Sequence, residues 1–499
     1  RVVCNGEPFM VSPTTADGRL PDNTTYSWSV SVTNSAITGL AGASNMSYIS
    51  GTPINISNQI QTATYTVTPR SPLGSCNGAV FTITVTVNPS AVINSMTAVA
   101  CSGAPFVATP TTGSNGIVPI GTVYRWDAPS SVPGISSGLV SGLSATNISG
   151  TLINTTNASI TVTYFVTPTS PLCGDDAVFS LVAAIAPVPA ISSTTISTCA
   201  LVTFATTPTN GSYNGTAGNI VPSTTLYSWT ASGANILGLT SVNNSSNISG
   251  TLTNQVNTPL TATYFVTPSA SYSSPIAGSC PGSPFTLTVS LNPAAQITPL
   301  SQTICTGSFF EISPVNNNSN IIVPANTTYS WSAPSVPIGV IAVTSGLTGA
   351  NAVAISGTLS HTNFNILSAI YSITPRSALG NCQGTTLTVT VFVNPRAVVN
   401  NVSLSVCSGV VFTFTPSNGG GNIIPSNIQY RWTSLPSFTG TVTGGATATA
   451  RTNITGQLFN QTNVVQTVTY FVTPSTSGIC GDGNPFTVTV TLHPTPVIS

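Results

Sequence analysis

Bulky apolar residues alternate with Thr or Ser in one short segment after another: FTITVTV at Phe81–Val87, FTLTVSL at Phe285–Leu291 and FTVTVTL at Phe486–Leu492. Successive strand side chains point to opposite faces, so the period of two predicts β-strands with one face on a core and the other in water. Threonine suits the wet face, because its branched Cβ fits the pleat while its hydroxyl keeps contact with solvent. No convincing amphipathic helix is visible. The same period puts both members of each Tyr-x-Trp on one face. That predicts five pairs of core anchors: Tyr26 with Trp28, Tyr124 with Trp126, Tyr227 with Trp229, Tyr329 with Trp331 and Tyr430 with Trp432.

These segments recur. The five Trp are 98, 103, 102 and 101 residues apart, and each is followed by ISGTL or a variant at Ile49, Ile148, Ile248, Ile355 and Ile454. Next come TYTVTP, TYFVTP or IYSITP, beginning at Thr64, Thr163, Thr263, Ile370 and Thr469, then a Cys and a strongly alternating segment. The order never changes, which reads as five tandem copies of one domain. The units are drawn at 1–97, 98–195, 196–301, 302–403 and 404–499. Several short strands with turn signals in roughly 100 residues predict an all-β sandwich of immunoglobulin-like type. A Pro after each closing segment (Pro89, Pro187, Pro293, Pro395, Pro494) ends the ladder and leads into a short connector. Such connectors favour end-to-end stacking. Units of about 40 Å would make an elongated rod of about 200 Å. The opening RVVCNGEPF matches AVACSGAPF at Ala98–Phe106, so the array is expected to continue past the sequence in hand.

Composition narrows the functions. The chain has 499 residues with 8 basic and 8 acidic side chains, every basic one an Arg. A net charge of zero with 3% charged residues leaves no electrostatic footprint for nucleic acid or an anionic membrane surface. The longest apolar run, Leu181–Ile191, is too short to span a bilayer as a helix and contains two prolines, so no membrane insertion is expected. Abundant Val, Ile and Thr with regularly spaced aromatics argue against disorder. The start at Arg1, with no signal peptide, reads as a mature form or an excerpt.

Ten cysteines fall two to a unit: Cys4 and Cys76, Cys101 and Cys173, Cys199 and Cys280, Cys305 and Cys382, Cys407 and Cys480. With no Cys-x-x-Cys pair to suggest zinc, the reading is structural disulfides formed in an oxidising compartment. Bonds within each unit are preferred, each closing a loop of about 73 residues and contributing about 4 kcal/mol in the chain-entropy model. The alternative joins the second Cys of one unit to the first of the next, as Cys76–Cys101, where the separations are only 25 or 26 residues. A bond within a unit would shield the residues it encloses from being pulled out, whereas a bond between units would staple neighbours together and stiffen the joints. With no Lys, Lys–Asn isopeptide staples are excluded.

A catalytic constellation is not apparent. His493 occupies the slot of Asn88, Asn292 and Asn394, and His361 has no acidic neighbour. Asp175 and Asp176, or Asp17 with Asp22, are weak calcium candidates, because the other units offer CNGA, CPGS, CQGT and CGDG where unit 2 has its acidic pair, so a shared site in that loop is not expected. No catalytic residue, metal site or cofactor is assigned.

The combination of YSW at Tyr26–Trp28, Tyr227–Trp229 and Tyr329–Trp331, NISGTL, ATYTVTPRSPLGSC at Ala63–Cys76 and FTITVTVNP resembles the PKD-like, immunoglobulin-type repeats of very long Bacteroidetes surface proteins. The closest likeness is to giant gliding-motility adhesins of the SprB kind. It covers the whole chain, although the acidic Gly-Asp-Gly turn of ordinary PKD domains is missing after the Trp. The resemblance implies type IX secretion, a thin filament attached at the outer membrane, and adhesion during gliding. The function expected is a non-catalytic, load-bearing region of an extracellular adhesin filament. Contact with an external surface or polysaccharide would be made through regions outside this sequence. Uncovered edge strands would permit lateral self-association. The alternatives are a spacer array in an exported multidomain enzyme and a carbohydrate- or ligand-binding module.

Overall fold

The computed structural model describes residues 1–213, 215–273, 278–317, 321–337, 341–433 and 441–496, and among them the regular structure is β-strand apart from two 3-10 turns, Thr15–Asp17 and Leu379–Asn381. Each unit has one large sheet. Its leading strand (Val2–Cys4, Met96–Cys101, Thr194–Cys199, Leu300–Cys305, Val402–Cys407) lies parallel to the closing strand of the same unit (Phe81–Asn88, Phe179–Ala186, Phe285–Asn292, Leu387–Asn394, Phe486–His493). The closing strand is antiparallel to the strand carrying the Thr-Pro phrase (Gln61–Arg70, Ile160–Ser170, Leu260–Tyr272, Leu367–Arg376, Gln466–Ser475). The Trp strand and a short edge strand complete the sheet. Opposite it, short strands such as Phe9–Val11 with Ile49–Gly51 and Pro105–Ala108 with Ile148–Thr151 form the second layer. The units are five β-sandwiches in tandem.

The recurring phrases are core chemistry. In Thr163–Pro168 the burial alternates, so Tyr164 and Val166 face inward while Phe165 is exposed. The inward Tyr meets a Phe from the second layer in every unit, with ring centroids 5.1–5.7 Å apart: Phe9–Tyr65, Phe106–Tyr164, Phe204–Tyr264, Phe310–Tyr371 and Phe412–Tyr470. The glycine of Ile-Ser-Gly makes room for this pair. A Cβ on Gly51 would lie 2.3 Å from the Tyr65 hydroxyl, and one on Gly250 would lie 2.9 Å from that of Tyr264. The ten residues of the Tyr-x-Trp pairs are all buried. Four of the indole N–H groups, on Trp28, Trp126, Trp331 and Trp432, donate to the carbonyls of Ala41, Val140, Gly346 and Ala446 at 3.0–3.1 Å.

These hydroxyls give the cores an alkaline limit. Burial pushes Tyr65, Tyr264, Tyr329, Tyr371, Tyr430 and Tyr470 up to about 12. Because the folded value lies above the unfolded one, this stability is fully present below pH 10 and is lost as pH rises toward 12. Absorbance at 295 nm should show these tyrosines ionising near pH 12 in the native chain, together with unfolding, and near pH 10 in urea. Ionisation of the native chain complete by pH 10 would contradict the packing.

Candidate functional site

Strand direction decides where each cysteine sits. The leading strand runs parallel to the closing strand, so the first Cys of a unit arrives at the end from which the chain leaves. Cys4 is in register with Asn88, Cys101 with Ala186, Cys199 with Asn292, Cys305 with Asn394 and Cys407 with His493. The Thr-Pro strand runs the other way, so the second Cys follows at the entry end.

The disulfides accordingly cross between neighbouring units. They are Cys4–Cys173, Cys101–Cys280, Cys199–Cys382 and Cys305–Cys480, with Cα–Cα distances of 5.1–5.7 Å. This corrects the expected in-unit pairing of Cys4 with Cys76 and its counterparts. A closing strand of eight residues rising about 3.3 Å each separates the two cysteines of a unit by roughly 25 Å. A disulfide requires Cα atoms within about 7 Å. The alternative Cys76–Cys101 is excluded more strongly, since those residues lie at the far ends of adjoining units. Cys76 and Cys407, both expected to be bonded, are exposed free thiols.

The rest of the junction is built around the connector. Its backbone pairs with the following unit: Val92–Ile93 with Gly116–Ile117, Ala190 with Ile220, Gln296 with Ile322 and Val398 with Ile423. Two or three residues after the second Cys, a glycine lets the connector come close. A Cβ on Gly282, Gly384 or Gly483 would lie 2.1–2.3 Å from the carbonyl oxygen of Pro189, Ala295 or Ala397. In unit 2 Asp176 takes this position, and its carboxylate accepts the Ala91 N–H at 2.9 Å and the Ser170 hydroxyl. At the next junction the Tyr272 hydroxyl donates to the Pro187 carbonyl at 2.6 Å, over a small apolar cluster of Ala184, Ala186 and Cys280.

An amide, buried in units 1 to 3 and half-buried in unit 5, ties down the exit face of the unit. Asn55, Asn154, Asn254 and Asn460 each donate to a carbonyl near the end of the closing strand (Val87, Ile185, Leu291, Leu492) at 3.0–3.3 Å, and to the carbonyl four residues on at 2.8 Å. In unit 4 this place belongs to His361, which is buried with Nε2 2.8 Å from the Val393 carbonyl. A structural slot therefore accounts for His361. His493 sits at the end of the last strand with Nε2 2.9 Å from the Ser405 hydroxyl.

The acidic pairs are also occupied. Asp17 caps a 3-10 turn through Thr14, while Asp22 is exposed. Asp175 accepts from Arg125 at 2.5 Å and from the Thr169 hydroxyl at 2.7 Å, and the hydrogen bond from the guanidinium holds its carboxyl below the usual range. Among the described residues no group of three or more His, Cys, Asp or Glu could hold a metal ion. Sequence reading missed the junction glycines, the inward Tyr of the Thr-Pro phrase and the buried Asn. Each had a signal in its recurrence at a fixed place, such as Gly two residues after the second Cys in three of the five units and three residues after it in a fourth.

The model of a PKD-like domain matches residues 1–91, 98–189, 206–295, 302–397 and 404–496. No curated protein matches. Among solved structures, the human desmocollin-1 ectodomain aligns over 100% of this chain and 99% of its own at 10% identity and a TM-score of 0.23. The protocadherin gamma B4 extracellular domain aligns over 99% and 83% at 12% and 0.23, and immunoglobulin domains 1–5 of sidekick-1 over 99% and 97% at 9% and 0.19.

Proposed function

The chain belongs to the family of PKD-like domains, five of them in tandem, and from that premise we propose that it is the load-bearing stalk of an exported adhesin. The observation that carries this reading is the stagger of the disulfides. Every one of the four junctions is crossed by a covalent bond in addition to the backbone. A spacer needed only for reach would be served by flexible linkers. Bonds at the joints resist bending and separation, which is what a rod under tension needs.

Four disulfides belong to an oxidising compartment and support an extracellular location. The likeness to Bacteroidetes surface repeats extends this to a filament held at the outer membrane and used in surface attachment or gliding. One observation favours the reading as a ligand-binding module: Phe165, Phe265 and Phe471 are solvent-facing. They stand one to a unit in three of the five units, 100 and 206 residues apart along the chain, which leaves the stalk ahead.

The test replaces the eight bonded cysteines by serine in the parent protein on its own cells. Attachment at rest should persist, while attachment under shear flow should fall several-fold. Equal retention under flow would overturn the load-bearing role.

A further inference from the structure

The solvent face of the large sheet carries one combination of residues in units 2 and 5 and another in the remaining three. Units 2 and 5 read Tyr-Arg-Trp at Tyr124–Trp126 and Tyr430–Trp432, and Cys-Gly-Asp at Cys173–Asp175 and Cys480–Asp482. Units 1, 3 and 4 read Tyr-Ser-Trp and follow the second Cys with Asn, Pro or Gln. Those serines serve the fold: Ser27, Ser228 and Ser330 accept the N–H of Asn45, Asn244 and Asn351 at 3.1 Å and so hold the edge strand. Arg125 and Arg431 instead reach out to Asp175 and Asp482. Each of these four side chains is about half exposed, and an exposed ion pair adds little to stability. Both units also place a bare Phe beside the pair. Arg125 is in register with Thr167 and Arg431 with Thr473, so Phe165 and Phe471, two residues earlier, are diagonal neighbours on the same face. They are 69% and 51% exposed.

In unit 5 these groups line an open groove between Phe471 and the edge-strand residues Thr447 and Thr449, which Arg431, Thr433 and Thr473 also line. Three properties set the chemistry of an occupant. The ring offers an apolar face of negative potential, which attracts C–H groups. The guanidinium keeps further N–H donors and the carboxylate further lone pairs, so the partner must accept and donate hydrogen bonds within one small area. The two charges of the pair cancel and the whole chain is neutral, so a charged ligand gains nothing from them. A pyranose ring meets all three conditions, with C–H groups on its faces and hydroxyls around its edge. We propose that the groove of unit 5 and the matching face of unit 2 bind neutral hexose units of a polysaccharide, the Phe stacking under a ring and the Arg–Asp pair holding adjacent hydroxyls. Unit 2 is the weaker site, because Asp127 and Leu143 stand where unit 5 has Thr433 and Thr449. Unit 3 has the exposed Phe265 with neither the Arg nor the Asp, and is the internal control. This inference does not depend on the stalk reading, since it concerns binding along the flank of the array and not load.

The experiment co-sediments the full chain with particles of agarose, cellulose, curdlan and mannan at high salt, with alginate beads as the anionic comparison. At least one of the four neutral polysaccharides should retain the chain. Phe471→Ala should lower that retention several-fold, and so should Arg431→Ser, which gives unit 5 the residue of units 1, 3 and 4. Phe165→Ala combined with Phe471→Ala should lower it by about tenfold or more, since two sites on one chain act together. Phe265→Ala should change nothing. Every altered side chain is exposed, so an unchanged thermal unfolding curve shows that the fold is intact. Failure of all four neutral polysaccharides to retain the chain, retention on alginate alone, full retention of the double Phe variant, or an equal loss from Phe265→Ala would each overturn the inference.

Discussion

Pulled between Arg1 and Ser499, the oxidised chain is expected to stop lengthening at about 430 Å, and the reduced chain at about 1,700 Å, at roughly 3.5 Å per residue. The limit follows from the shortest covalent route. It runs 3 residues to Cys4, crosses to Cys173, returns 72 to Cys101, crosses to Cys280, continues 25 to Cys305, crosses to Cys480 and ends 19 residues later. The Cys199–Cys382 bond is not on this route. The double variant Cys199→Ser with Cys382→Ser should therefore reach the same final length when oxidised. Under in-unit pairing the same variant would break two bonds and release about 550 Å more, again at roughly 3.5 Å per residue. Single-molecule force spectroscopy separates the outcomes, and extension of that variant by several hundred ångströms would rule out the staggered scheme. The overlap of the loops produces the redundancy: any cut between Cys4 and Cys480 meets at least one disulfide as well as the backbone. Each bond also closes a loop of 169–183 residues, contributing about 5 kcal/mol in the chain-entropy model, although overlapping loops do not add.

The sandwich was legible because its signals are local and repeat. Alternation places Trp126 and Tyr124 on one face wherever the strand pairs, and five copies of the same order leave little freedom in the fold. The staple was not legible because it turns on one non-local fact. Residues 96–101 alternate too weakly to say whether they lie parallel or antiparallel to Phe179–Ala186, and only the parallel choice carries Cys101 to the exit end. Sequence separation pointed to loops of about 73 or 25 residues, but the cost of closing a loop changes slowly with its length and cannot choose between partners. The junction glycines show the same limit. Gly384 reads as a turn residue, and its role appears only when the carbonyl of Ala295, from another unit, is placed against it.

That contact gives the second large effect. In the variant Gly384→Val, the new Cβ would fall 2.2 Å from the Ala295 carbonyl oxygen, where backbone on both sides prevents an easy retreat. The Thr385 N–H, which donates to the same oxygen at 3.0 Å, would be drawn away with it. Asp176 is accommodated at the matching place because it accepts the connector N–H, whereas Val offers no acceptor. Relief of the clash moves Cys382, two residues earlier, from Cys199, and overpacking of this kind costs about 1–3 kcal/mol. The staple then fails to close, and the joint between units 3 and 4 opens. Thiol titration of the unfolded, unreduced protein should rise from two per chain to four. The control is Gly78→Val, where the nearest contact is the Pro69 ring at 3.0 Å, and the count should stay at two. A count of two in both variants would mean that the staple is seated by something other than the close approach at the glycine. Four in Gly384→Val alone would show that a residue with no side chain sets the covalent bond of its junction, and with it the stiffness of the rod.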